Sequence, residues 1–214
     1  MLGQFAMERG LVDRDRADGE GNAGLAENLG ATAWAQQPAA RILIAYHSDT
    51  GNTEKMAQAV QKGAASVGGI AVVLKKAVDV KDEEITRYDG IVFGAPVHWG
   101  NAASDGKRFL DRVAATLWAA KMTGDGRTAG VFCTGGAVAS GKDLARLSMI
   151  AEFLAMRFTI VGGVDAEGFG TLGPQATTGP GSPGVNAAAQ EEARAFGERF
   201  ARVTRQYRNG TVKP

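Results

Sequence analysis

One transition constrains the fold more than any other feature of the chain. An apolar run at residues 42–46, Ile-Leu-Ile-Ala-Tyr, gives way abruptly to a polar turn at residues 47–53. Such a run is typical of a strand that is buried on both faces of a parallel sheet. Apolar residues at helical spacing follow from Met56, so the turn lies at a helix N-terminus. Strand, turn and helix in this order predict the first unit of an α/β fold.

The turn itself has the composition of an anion-binding site. Ser48, Thr50 and Thr53 supply hydroxyl donors, and Gly51 has no Cβ to keep backbone N–H groups away from an anion. The free N–H groups and the dipole of the helix favour negative charge at the same point. Neither the Gly-Lys-Ser/Thr of a nucleoside-triphosphate loop nor the Gly-x-Gly-x-x-Gly of a dinucleotide fold is present. The alternative is an ordinary capped helix, since these residue types are the usual N-caps.

Four more apolar segments alternate with helical patterns along the chain. This alternation predicts a doubly wound five-stranded parallel sheet of order 2-1-3-4-5 with helices on both faces. Further strands are predicted at residues 70–75, 88–96, 128–134 and 158–162, and helices at residues 53–67, from 104, at 142–156 and at 188–206. Residues 163–187 are rich in Gly, Pro, Thr and Ser and predict a long functional or mobile loop.

Two further loops are expected beside the first turn, at the carboxyl edge of this sheet. The loop after the third strand combines a rigid proline, an imidazole and an indole, which suit an apolar wall beside a flat ring: Pro96, Val97, His98, Trp99, Gly100 and Asn101. The fourth strand ends in small residues: Thr134, Gly135 and Gly136. The opposing interpretation is that Trp99 and Trp118 are surface or core aromatics and that His98 has no ligand.

Composition limits the remaining possibilities. The chain has 214 residues, enough for one α/β domain, at residues 41–206, between a flexible extension at 1–40 and a tail at 207–214. A net charge of +1 and the lack of a long apolar run predict no nucleic-acid partner and no membrane span. The single cysteine, Cys133, predicts a small buried hydrophobe and no multi-cysteine metal site. The Ala-Trp-Ala at residues 33–35 lacks a preceding apolar region for export, so we expect a cytoplasmic protein.

Several motifs together resemble one family. The turn Ser-Asp-Thr-Gly-Asn-Thr is similar to the FMN phosphate loop of the flavodoxin superfamily. With the segments at residues 88–96, 99–101, 108–111 and 117–119, the chain resembles the WrbA-type NAD(P)H:quinone oxidoreductases, which have a flavodoxin-like fold and carry FMN. The resemblance implies that one set of residues holds the FMN phosphate: Ser48, Asp49, Thr50, Gly51, Asn52 and Thr53. It further implies that residues 96–101 and 134–136 flank the two sides of the ring.

The chain also departs from the family pattern. Lys142-Asp143 stands where family members have a Gln-Glu pair, and Met156-Arg157 stands where they often have two histidines. These differences put the typical family turnover and tetramer in question more than they question FMN binding.

The resemblance predicts an FMN enzyme that takes hydride from NADH or NADPH and reduces quinones or similar flat acceptors by two electrons. His98 is expected to steady charge on the reduced ring or to donate a proton, with Trp99 and Trp118 as stacking surfaces for the acceptor. A homodimer or homotetramer is expected by resemblance alone. Two alternatives stay open: a one-electron carrier, and a flavin-binding module without catalysis.

Overall fold

The computed structural model describes residues 38–181 and 184–210. The flexible extension predicted for residues 1–40 therefore lies almost entirely outside the described residues. The strands are β1 Ala40–Tyr46, β2 Ile70–Lys76, β3 Gly90–His98, β4 Asn101–Ala102, β5 Thr128–Gly135, β6 Thr159–Ile160, β7 Gly163–Val164, β8 Gly170–Thr171 and β9 Gln175–Thr177. The helices are α1 Asn52–Ala65, α2 Asp82–Ile85, α3 Ser104–Ala119, α4 Lys142–Ala155 and α5 Ala187–Gly210. The last helix continues past the predicted end at residue 206, into the segment predicted as a tail.

The main sheet has the predicted topology. Five parallel strands lie in the order β2-β1-β3-β5-β6, which is 2-1-3-4-5 when β4 and β9 are left out of the numbering. Alternate residues of β1 point to opposite faces: Leu43 packs with Phe109 and Phe153 beneath α3 and α4, and Ile44 packs with Phe196 beneath α5. A flavodoxin-like α/β sandwich is thus confirmed. None of the helices in the described ranges is long and apolar enough to cross a membrane.

The fifth position of the sheet differs from the prediction. In place of one strand at residues 158–162, the short β6 pairs with the start of β5 and β9 pairs in parallel with its end. Between them the chain leaves the sheet as the β7–β8 hairpin. The predicted loop at residues 163–187 therefore contains three short strands. Their Gly-, Pro- and Thr-rich sequence carries no apolar run, so it is pairing with β5 that extends β9, and not a local preference.

The predicted loop after the third strand is also more regular than expected. The strand β3 continues to His98 and turns back as β4, with Val97 opposite Ala102 and His98 opposite Asn101. The residues predicted to flank a ring thus form a β-hairpin at the carboxyl edge of the sheet.

Candidate functional site

The turn after β1, which is predicted to bind an anion, is held by its own hydrogen bonds. Gly51 has φ of 82° and directly precedes α1. Its N–H donates to Ser48 Oγ at 3.1 Å, and Asn52 Nδ2 donates to Thr50 Oγ1 at 3.0 Å. The first N–H groups of a helix have no partner within the helix, so those of α1 remain available at this turn. This arrangement of neutral donors is compatible with the predicted phosphate site.

Thr53 has a different position from that expected for a phosphate donor. It is buried, and its Oγ1 lies 2.8 Å from Thr134 Oγ1. This hydroxyl pair joins the start of α1 to the end of β5, two elements that are 81 residues apart in the chain. The hydroxyls of the turn that reach solvent are those of half-buried Ser48 and exposed Thr50. Thr53 and Thr134 therefore hold two of the predicted loops together.

Asp49 joins the turn to the β3–β4 hairpin. Its Oδ1 lies 3.2 Å from His47 Nε2, and its Oδ2 lies 3.2 Å from His98 Nε2. These are the two histidines of the chain. His47 Nε2 also lies 3.8 Å from Asp105 Oδ2, at the start of α3. The sequence analysis did not single out His47, and its position directly after a buried strand is the signal that would have found it.

The tip of the hairpin presents an aromatic ring to solvent. Trp99 and Gly100 have φ of 51° and 86°, which is the left-handed pair of a two-residue hairpin turn. For tryptophan this backbone conformation costs about 1–2 kcal/mol. The Trp99 side chain is fully exposed. A strained, exposed aromatic residue beside a turn that is predicted to bind an anion is the arrangement expected of a ligand wall.

Lys142 organises the loop after β5. The residue is 6% exposed, and its Nζ donates to the carbonyl oxygens of Ala137 at 2.6 Å and Val138 at 2.9 Å and to Thr177 Oγ1 at 3.1 Å. One turn later, buried Arg146 donates to the carbonyl oxygen of Gly173 and to Gln175 Oε1. Sequence reasoning noted Lys142 only as a departure from a family pattern. A lysine in the first turn of a helix places its positive charge at the positive end of the helix dipole, which is unfavourable. That unfavourable position was the sign in the sequence that Lys142 has another hydrogen-bonding partner.

The hairpin and the loop after β5 also touch. Gly141 has φ of 85°, and a Cβ at this position would lie 2.5 Å from the carbonyl oxygen of Gly100. Of the predicted residues in this loop, Thr134 and Gly135 are buried within β5 and Gly136 is exposed. The structure thus brings the turn, the hairpin and this loop together at one edge, as the sequence predicted.

Trp118 is not brought to that edge. It is exposed near the end of α3, whose first residue, Ser104, follows the hairpin. The helix runs back along the sheet, and the 14 residues from Ser104 to Trp118 correspond to a rise of about 21 Å. Within one chain the structure therefore does not bring Trp118 to the candidate site, and its role as a stacking surface stays a prediction.

Cys133 is fully buried, as predicted. Burial raises the pKa of its thiol to about 12. The thiol also contacts the carbonyl oxygen of Lys142 at 3.6 Å. A group held this far from ionisation is a structural residue of β5.

A cavity of about 940 Å³ lies on the other side of the loop after β5. Gly136 borders it, together with Val164 and Asp165 near the β7–β8 hairpin and Glu192 on α5. Burial raises the pKa of the Glu192 carboxyl group, and nearby Asp165 adds to the rise although Arg146 opposes it. The cavity therefore shares Gly136 with the loop that is predicted to line the candidate site.

Comparison with known proteins agrees with the geometry. The model of the flavodoxin domain matches residues 43–145. A flavodoxin of Aquifex aeolicus is 33% identical, covering 60% of this chain and 68% of that protein. An NAD(P)H dehydrogenase (quinone) of Archaeoglobus fulgidus is 32% identical, covering 58% of this chain and 76% of that protein.

Solved structures support the same fold. A WrbA-like flavodoxin of Agrobacterium tumefaciens superposes with a TM-score of 0.61 at 22% identity, covering 78% of this chain and 99% of that one. An archaeal flavodoxin superposes with a TM-score of 0.60 at 20% identity, covering 77% and 98%. The matched sequence begins within β1 and includes the turn, the hairpin and the loop after β5. The chain belongs to the flavodoxin family.

Proposed function

We propose that the chain binds FMN at the carboxyl edge of the sheet and uses it to reduce quinones or similar flat acceptors with NADH or NADPH. The observation that carries the proposal is the joining of three loops around one edge. Thr53 bonds to Thr134, and Asp49 contacts His98. An anion-binding turn, a ring wall and a backbone-rich loop held together in this way fit a phosphorylated flat cofactor.

Each loop has a separate task in this proposal. The hydroxyls of Ser48 and Thr50 and the N–H groups from Gly51 onward hold the phosphate. Trp99 covers one face of the ring, and the backbone around Gly135 and Gly136 lines the other side. The fit rests on the left-handed Gly51, which leaves open space where a Cβ would stand.

FMN, when bound, supplies the hydride acceptor and the two-electron donor. The side chains orient the reactants and manage protons. Asp49 Oδ2 lies 3.2 Å from His98 Nε2, so His98 Nδ1 is the atom left to exchange a proton with an acceptor. Trp99 excludes water from the ring and offers flat acceptors a stacking surface.

We favour a reductase over an electron carrier because of the net charge of the chain and the names of its relatives. A net charge of +1 does not provide the acidic surface that a carrier would use to dock on basic partners. A relative named NAD(P)H dehydrogenase (quinone) supports the reductase, while relatives named flavodoxin favour the carrier as the second candidate. We further propose a cytoplasmic homodimer or homotetramer, in line with the resemblance to WrbA-type enzymes.

The test is an anaerobic titration of the FMN-loaded protein with NADH and with NADPH, followed by benzoquinone. We expect one nucleotide to bleach the yellow flavin completely and the quinone to restore the colour. Bound flavin that neither nucleotide reduces would favour the carrier. Failure to bind FMN would contradict both functions.

Two tryptophan variants test the assignment of the ring wall. Trp99→Ala removes the exposed ring at the hairpin, and Trp118→Ala removes another exposed ring near the end of α3. We expect weaker FMN binding and a higher KM for the quinone in the first variant and no change in the second. Equal effects of the two substitutions would show that Trp99 is not part of the site.

A further inference from the structure

The helix α4 has two apolar faces, and one of them is exposed. The face toward the sheet buries Ala145, Met149 and Phe153. On the opposite face the side chains of three leucines remain half-exposed: Leu144 at 56%, Leu147 at 49% and Leu154 at 56%. Isolated surface leucines are ordinary, but three on one helix face form a continuous apolar stripe.

The spacing of this stripe is that of a helix-to-helix contact. Leu144, Leu147, Ala151 and Leu154 are separated by three, four and three residues, and Ala151 is exposed like the leucines. Steps of three and four residues are the seam spacing by which one helix packs against another. No other helix in the described part of the chain covers these side chains.

We propose that a second copy of this chain covers the stripe, with the two α4 helices antiparallel about a two-fold axis. The series of three, four and three residues is the same in both directions, so the stripe is self-complementary under such an axis. Leu144 then opposes Leu154 of the partner subunit, and Leu147 opposes Ala151 of the partner subunit. At the two central contacts of the interface, a leucine of one subunit therefore packs against an alanine of the other.

Charge favours the antiparallel direction. Asp143 lies at the first turn of α4 with its side chain 78% exposed, and Arg157 follows the last turn with its side chain 66% exposed. Antiparallel pairing places acid near base at both ends of the interface, whereas parallel pairing places like charges together. Both residues have partners in their own chain, Arg146 and Asp125, so the cross-contact sets direction more than affinity.

The size of the surface limits the strength of the dimer. A helix of 14 residues is about 21 Å long. A pair of such helices buries less than the roughly 1,200–2,000 Å² of a typical stable interface. The dimer is therefore concentration-dependent, and its formation does not depend on the flavin chemistry proposed above.

The first experiment is sedimentation of the full chain over a range of concentrations. Ala151→Glu places a charge in a central layer at a position that is exposed in the monomer, so the fold is not disturbed. Gln58→Glu is the matched control, since it adds the same charge at an exposed position of α1. We expect the first variant to weaken the dimer on the order of a hundredfold, because a charge would be buried without a partner, and the control to match the natural chain.

Disulfide trapping tests the direction of pairing. Cys133 is fully buried, so an introduced thiol is the reactive one. When chains with Leu147→Cys and chains with Ala151→Cys are mixed and oxidised, antiparallel pairing gives mixed disulfides and parallel pairing gives like-with-like disulfides. Like-with-like products would overturn the proposed arrangement.

Two other results would overturn the proposal. One is assembly of the Ala151→Glu variant that equals that of the natural chain. The other is a natural chain that stays monomeric at every concentration. A shortened chain that lacks residues 1–37 is then measured in the same way, and a dimer of that shortened chain would not rescue the proposal. A deletion that produces such a dimer would assign the stripe to that segment of the same chain.

Discussion

The hydroxyl pair of Thr53 and Thr134 offers a quantitative test of how the site is held. Thr134→Val keeps the shape of the side chain but replaces its hydroxyl with a methyl group. Thr53 Oγ1, buried and 2.8 Å from the lost partner, is then left unsatisfied. Leaving a buried hydroxyl without a partner costs about 1–3 kcal/mol. The same cost is expected for Thr53→Val, because the pair is symmetric in chemistry.

The double variant separates this mechanism from simple loss of packing. With both hydroxyls replaced, no buried polar group remains unpaired, so the free energy of unfolding is expected to return close to that of the natural chain. Urea denaturation followed by circular dichroism measures all four proteins. If the double variant is destabilised by the sum of the two single losses, the hydroxyl pair contributes no coupling and the reasoning is wrong.

The opposite end of β5 supplies a control. Thr128 Oγ1 lies 2.6 Å from Thr204 Oγ1, also buried, and Thr204 additionally donates to the carbonyl oxygen of Phe200 at 2.8 Å. Thr128→Val should therefore cost some stability but leave FMN affinity unchanged. Thr134→Val should weaken FMN binding by up to roughly tenfold, since the turn loses its anchor. Equal losses of affinity would remove the link between this hydroxyl pair and the cofactor.

Three further predictions follow from single residues. Gly51→Ala should lower the free energy of unfolding by about 1–2 kcal/mol and weaken FMN binding in calorimetry, because a φ of 82° disfavours a side chain. Gly68→Ala is the control: this glycine has open space around it, so neither quantity should change. Cys133, with its pKa raised to about 12, should resist thiol reagents until the chain unfolds. Stability should decline above about pH 8.5, where the unfolded thiol ionises first, and Cys133→Ala should lessen that decline. Lys142→Met should release the loop after β5 and lower FMN affinity with little change in circular dichroism.

The elements that sequence reasoning placed correctly are those with a local signal. The strand β1, its turn and α1 combine an apolar run, small polar residues and helical spacing within a few tens of residues. The strand β9 has none of these signals. Its three residues are extended because Cys133, Thr134 and Gly135 on β5 offer backbone partners. That contact spans about 40 residues of chain, and no local pattern reports it.

The same distinction between local signals and distant contacts applies to the candidate site. The sequence identified the loops that meet at the carboxyl edge, because glycine, proline and hydroxyl residues follow buried strands. It did not show which atoms join them. Thr53 Oγ1 bonds to Thr134 Oγ1, and the Asp49 carboxylate lies between His47 and His98. That both residues hold a phosphate stays a prediction. Side-chain direction at a loop depends on partners from distant segments, which a linear pattern does not contain.

The two walls of the candidate site differ in how firmly they are held. The loop after β5 is fixed by a buried cation, Lys142, that donates to two of its carbonyl oxygens. The hairpin is held by two residue pairs with β4 and by the contact of His98 with Asp49, and its tip carries a fully exposed Trp99 in a strained conformation. Because the cost of moving a segment rises with the buried bonds that it must break, we expect the hairpin to move more readily than the loop after β5 if a substrate enters between them. Substitutions in the hairpin should therefore alter turnover and acceptor preference, while substitutions around Lys142 should alter retention of the cofactor.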